Sequence, residues 1–160
     1  MGVFSLGIKF KGKIRAILMN AETNKIEFDS DWVDNVCPIV GRTALAEILV
    51  GSNTKTNPGQ ITYCAVGTGA TVPNIYGIKL ATELARVPIT TAINTDNIAT
   101  ITAFFKRTEA NGSITEIGLF GEEATSTADS GTMFQWIAKS ITKDDTQTLL
   151  ITSTIPIEYI

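Results

Sequence analysis

The chain has 160 residues, with 13 Lys and Arg against 16 Asp and Glu, two Cys and no His, for a net charge of -3. Without imidazole it cannot build a Ser-His-Asp triad, a Cys-His pair or a His-ligated metal site from its own side chains. A pI near 4.9 speaks against a phosphate-binding surface, since nucleic-acid domains carry a basic face. A chain of this length buries roughly 68–70% of its unfolded surface, enough for one domain without metal or disulfide.

In chain order, Met1 to Ile8 (MGVFSLGI) is an apolar segment too short for a core of its own and is expected to order against another chain. Lys9, Lys11, Lys13 and Arg15 alternate with Phe10, Gly12 and Ile14, the spacing of one solvated strand face rather than a polyanion or membrane contact. No apolar run approaches the roughly 20 residues that span a bilayer, and the amino terminus has no charged region followed by a long apolar one, so synthesis in the cytoplasm without processing is expected. About two dozen Thr and nearly as many Ile favour pleated surface over helix. Residues 12–20 and 25–34 flank the polar connector Ala21-Glu22-Thr23-Asn24 and predict a hairpin. Cys37 and, further on, Cys64 have neither CxxC spacing nor a His nearby and read as buried free thiols.

Residues 41–51 (GRTALAEILVG) predict the one helix, with Leu45, Ile48 and Leu49 on its apolar side. The Asn, Thr, Pro and Gly of residues 52–59 predict a surface loop, and residues 61–66 (ITYCAV) a buried strand stopped by Gly67-Thr68-Gly69. An irregular crossing follows Pro73, with a single helical turn at residues 79–84. Residues 87–93, 98–107, 113–120, 133–140 and 148–159 predict strands. Turn residues at 94–97, 110–112 and 143–145 join them into what reads as an antiparallel meander. The polar stretch 121–131 predicts a loop that is mobile or ordered by a partner.

Each chemical motif has a structural alternative. Gly67-Thr68-Gly69 after a strand has the place of a phosphate-binding turn but lacks the third Gly and long helix; the alternative is a tight turn where Gly permits positive φ. Glu83 and Arg86 form an ion pair if they share a helical turn. Glu109, Glu116, Glu122 and Glu123 are the set to consider for two-carboxylate, glycosidase-like catalysis, which needs no His, and their spacing implies no such geometry. Trp32 and Trp136, with Phe104, Phe105, Phe120 and Phe134, suit sugar stacking less well than core or subunit interface. Asn111-Gly112-Ser113 matches a glycosylation acceptor but coincides with a turn.

The order of residues from 41 to 120 is distinctive: Gly41 and Leu45-Ala46 in the helix, Tyr63-Cys64-Ala65-Val66-Gly67-Thr68-Gly69, Pro73, Leu80-x-x-Glu83-x-x-Arg86, then Gly112-x-Ile114-x-Glu116-Ile117-Gly118-Leu119-Phe120. Over residues 35–157 this resembles the amino-terminal attachment domain of bacteriophage tail-collar fibre proteins and related short virion proteins of tailed phages. The resemblance implies a virion structural subunit made in the host cytoplasm, a β-rich module of tail, baseplate or collar that repeats around a symmetry axis. It implies no enzyme activity, cofactor or metal, and no direct nucleic-acid or membrane contact. Nothing follows Ile160 where full fibres continue into a shaft and tip, and Thr68 stands where members often have Asp, so an adaptor or decorating subunit is expected.

These readings combine into a mainly β fold, an antiparallel β-sandwich or meander with one short helix. Residues 1–34 form an amino-terminal arm and hairpin able to reach a neighbouring subunit, and residues 35–160 form a single globular unit. Gly67, Thr68, Gly69 and Gly118 are candidate fold determinants, the glycines where a side chain would crowd a turn or strand. Glu83, Arg86 and Glu116 are candidates for a polar network in which Arg86 bridges two carboxylates. Phe4, Phe10 and Trp32 are candidate interface residues. The expected function is assembly as homo-oligomer and with other virion proteins, in a tail, baseplate or collar component of fibre-attachment or adaptor type. The alternatives are a capsid decoration protein (cement or head-fibre) and a host-glycan or receptor-binding module.

Overall fold

Along residues 13–18 burial alternates, with Ile14, Ala16 and Leu18 inside and Lys13, Arg15 and Ile17 nearer the surface, the period of a strand with one face on a core. In the computed structural model, which describes residues 8–159, strands take 51% and helix 7%, which makes the protein mainly β. Phe4 and nearly all of the apolar segment 1–8 lie outside the described residues. The elements are β1 (Ile8–Phe10), β2 (Lys13–Asn20), β3 (Ile26–Asp29), β4 (Val33–Asp34), α1 (Ile39–Leu49), β5 (Ile61–Gly67), β6 (Glu83–Pro88), β7 (Thr91–Thr95), β8 (Ile98–Phe105), β9 (Gly112–Gly121), β10 (Thr132–Lys143) and β11 (Gln147–Tyr159).

All strand pairings are antiparallel. One sheet runs β3-β2-β11-β8-β7, with β1 added to β11 and β4 to β2; the other runs β10-β9-β5-β6. They stack as a sandwich. Ile14, Leu18, Phe105, Leu149 and Ile151 from the first sheet meet Val66, Ile114, Ile117, Leu119 and Ile137 from the second in one core, the interleaving expected of two inner faces.

The chain is not a meander. Of the turns at 94–97, 110–112 and 143–145, the first alone joins neighbours within one sheet, whereas the other two carry the chain from β8 across to β9 and from β10 back to β11. Turn residues mark where a chain reverses and not which strand it pairs with next. Lys143, fully buried, ties both crossing points by donating to the carbonyls of Arg107 (3.2 Å) and Asp144 (3.3 Å) and to Asn111 Oδ1 (2.7 Å). The hairpin of residues 12–34 is likewise part of the sandwich rather than an outlying arm, because β2 lies between β3 and β11 and buries Ile14, Ala16 and Leu18.

The helix sits two residues earlier than expected and buries a different face. Gly41 and Ala44 are its buried positions while Leu49 is 81% exposed. Close approach to β10 decides this: a Cβ on Gly41 would lie 2.8 Å from the Met133 carbonyl oxygen and 2.9 Å from Phe134 Cα. Residues 79–84 form no helical turn; strand β6 begins at Glu83, and the stretch expected as one strand over 87–93 divides between β6 and β7.

The second sheet is covered on both faces, which explains why the runs 63–66 of β5 and 117–120 of β9 are apolar without alternation. Cys64 and Val66 point into the sandwich. Ala65 points the other way and joins Leu80, Phe120, Met133 and Trp136 in a second core beneath the crossing of residues 68–82. Gly77 of that crossing lies so close to the Trp136 ring that a Cβ there would come within 2.5 Å of Cζ3.

Candidate functional site

Glu116 is on β9, on the outer face of the second sheet, and is fully buried. A carboxylate in such a place requires donors. The crossing supplies three backbone N–H groups: Gly69 and Thr82, each 3.0 Å from Oε1, and Ala81, 3.1 Å from Oε2. Beside them the Thr68 N–H donates to the Thr82 carbonyl at 2.9 Å, and the Thr115 hydroxyl donates to the Gly69 carbonyl at 2.6 Å. Glu116 thus acts as the internal acceptor that folds the crossing onto the sheet.

The glycines make this possible by their lack of volume. A Cβ on Gly67 would lie 2.5 Å from the Thr82 carbonyl oxygen and 2.6 Å from Glu116 Oε1, and one on Gly69 would overlap the same carboxylate and Ala81 Cβ. A Cβ on Gly118 would sit 2.9 Å from the Phe120 ring and 3.0 Å from Leu80. Gly67 and Gly69 do not hold positive φ, so the expectation of a turn needing left-handed backbone gives way to one of close packing. The phosphate-turn reading also fails here, because the N–H of Gly69 already serves a carboxylate of the chain itself.

Arg86 makes a forked pair with Glu83, with Nε 2.6 Å from Oε1 and Nη2 2.8 Å from Oε2; the side chains are 3% and 4% exposed. Three residues apart on a regular strand, the two would face opposite ways. A register shift opposite Val66 and Gly67 inserts an extra residue at Leu84, and this bulge brings both side chains to one side. The guanidinium lies over the Phe120 ring, 5.0 Å from its centroid, where cation–π attraction adds to the pair. Its remaining nitrogen, Nη1, donates to the carbonyls of Thr125 (3.0 Å) and Ser130 (3.1 Å) and to the Ser130 hydroxyl (2.9 Å).

Two expectations change as a result. Arg86 bridges one carboxylate and a loop rather than two carboxylates, since Glu116 is engaged with backbone amides. The 121–131 segment is anchored by its own chain: besides Arg86, the Asp129 N–H donates to Glu83 at 3.0 Å and Lys79 pairs with Asp129 at 2.8 Å.

Glu122, just beyond β9, is a second buried carboxylate that sequence spacing did not single out as structural. It accepts from Asn53 Nδ2 and the Thr132 hydroxyl, both at 2.6 Å, from Lys55 Nζ at 3.0 Å and, at a longer 3.4 Å, from the Gly59 N–H. Burial pushes its pKa up; the bonds from Thr132, Asn53 and Lys55 more than offset this and hold it below the usual value. Asn53 and Lys55 belong to the 52–59 loop, far away in sequence, so only the fold brings them together. Glu109 and Glu123 do not join either carboxylate: Glu109 Oε2 accepts from the Lys106 N–H at 2.8 Å, and Glu123 is exposed.

Phe10 is half-buried and lines an apolar groove of about 210 Å³ with Leu45, Ile61, Ile101 and Phe134. Trp32 is 42% exposed with the Arg15 guanidinium 6.0 Å from its ring centroid. Trp136, considered as a sugar platform, is 2% exposed and belongs to the core. Both cysteines are free. Cys64 is buried as expected and Cys37 only half-buried, and burial raises the pKa of each. Among the described residues no group of three or more Cys, Asp or Glu side chains is placed to hold a metal ion. No family model, curated protein or solved structure matches the chain.

Proposed function

We propose that the chain is a structural subunit of a bacteriophage virion, a tail, baseplate or collar component of fibre-attachment or adaptor type, whose work is mechanical and not catalytic. The supporting observation is where the residues that carry the family resemblance meet. Gly67, Gly69, Leu80, Glu83, Arg86, Glu116, Gly118 and Phe120 converge on one face of the second sheet, and their polar groups bind one another and the backbone of the same chain. Such a set locks the crossing and the 121–131 loop in fixed positions, as a repeating building block requires.

The surface agrees with assembly. Val72, Tyr76 and Ile78 are exposed on the crossing, whose two ends are pinned to Glu116 through Gly69, Ala81 and Thr82, and Leu49 and Val50 are exposed at the end of α1. Exposed apolar side chains grouped in this way mark contact sites between proteins. Antibody labelling or density in intact particles tests the reading. Regularly repeated copies at the tail, baseplate or collar are expected; copies on the head shell would make the chain a decoration protein, and absence from particles would sink the proposal.

A further inference from the structure

Apart from the short β1 and β4, which branch onto β11 and β2, the two sheets end on four strands, β3 and β7 in the first and β10 and β6 in the second. A terminal strand presents unpaired N–H and C=O groups, and proteins that stay apart block them with charge, proline, bulges or a covering segment. Three of the four are blocked. β3 carries Glu27 and Asp29 and pairs with β2 through a register shift. β6 holds Pro88, and loop 121–131 is drawn to it by Arg86. β10 has two register shifts, a backbone bridge from Val36 and helix α1 against it.

β7, Thr91–Thr95 (TAINT), has none of these devices. It contains no charge, proline or glycine, all five residues are exposed, and its pairing with β8 is unshifted from end to end. The edge is also held in place. Asn97 in the turn that follows exchanges hydrogen bonds with Ile157 of β11, at 2.9 and 3.0 Å, so little order has to be gained on binding.

We propose that β7 pairs antiparallel with β7 of a second copy of this chain about a two-fold axis at Ile93, continuing the first sheet across both subunits. In this register Ile93 meets Ile93 of the second copy, Ala92 meets Asn94, and Thr91 meets Thr95, so every backbone group on the edge finds a partner and no like charges oppose one another. Ile93, 60% exposed in the single chain, becomes the apolar centre of the contact. A self-complementary patch is what two-fold symmetry demands. The pairing names the surface and partner for the assembly reading and rests on it. Five residues of edge make a small contact, so the dimer is weak and forms at high concentration.

Sedimentation velocity of the full chain over a wide concentration range is the test. Reversible dimerisation is expected, with Ile93→Lys weakening it by about tenfold or more through two lysines on the axis, and an equimolar mixture of Ile93→Lys and Ile93→Glu restoring it. Asn94→Lys, at a neighbouring exposed position, is a second edge variant, and unchanged melting temperatures establish that all remain folded. A dimer indifferent to these substitutions overturns the β7 contact and leaves assembly through another surface standing. A mixture that stays monomeric overturns the two-fold register. A wild-type chain that is monomeric at every concentration overturns both the contact and self-assembly.

Discussion

Glu116 and Glu122 are buried carboxylates at the middle and just past the end of the same strand, and they are satisfied in different ways. Glu116 takes its donors from three backbone N–H groups of the crossing, with no cation among them. Glu122 takes chiefly side chains, Asn53, Thr132 and the partly exposed Lys55, with the Gly59 N–H a longer contact at 3.4 Å. Backbone donors cannot be supplied from elsewhere when the acceptor is lost, whereas a hydroxyl, an amide or an ammonium group can rotate to another partner or to water. Glu116 therefore fixes the path of the main chain, and Glu122 fixes the position of a loop.

The sharpest way to break the comparison is Glu116→Ala, which leaves three N–H groups without an acceptor at about 1–3 kcal/mol each; a total near 4 kcal/mol is expected in urea unfolding, allowing for relaxation. Glu116→Gln keeps one oxygen and should lose about half as much. Next comes Arg86→Ala, expected to cost about 3 kcal/mol because it leaves Glu83 buried and unpaired, with faster hydrogen exchange in residues 125–130 as its own signature. Arg86→Lys should recover only part of this, since an ammonium group cannot reproduce the fork.

Glu122 sharpens the contrast through pH. Its folded pKa lies below the ordinary glutamate value of 4.5, so it contributes stability above that value which disappears as pH falls through the folded pKa. The difference in unfolding free energy between wild type and Glu122→Gln, about 1–2 kcal/mol at neutral pH, should shrink steadily below pH 4.5. The smallest effect is expected for Lys55→Met. Its side chain is 39% exposed, water and salt screen the pair, and a loss under about 1 kcal/mol, diminishing with added salt, is expected from thermal unfolding.

Local periodicity made much of the fold readable. The alternation at Ile14, Ala16 and Leu18, the helix near residues 41–51 and the buried run 61–66 all follow from patterns within one element. The Glu83 and Arg86 pair was legible as a pair, though on the wrong scaffold, because spacing alone does not reveal a bulge at Leu84. What Glu116 binds was not legible: its donors lie 34 to 47 residues away and are backbone groups, which carry no side-chain signal. The apolar stripe Leu45, Ile48 and Leu49 misled for a related reason, since the two small residues Gly41 and Ala44 decide how closely α1 meets β10.

Strand β11 has a consequence for how the molecule comes into being. It lies between β2 and β8 and also pairs β1, yet every strand it joins is made before it. Until it leaves the ribosome, the early hairpin and the β7–β8 hairpin have nothing to join them, and the first sheet cannot close. Maturation should then be slow and concerted, as for chains whose contacts span long stretches of sequence. The first sheet therefore reaches its final form only once residues 147–159 have been made.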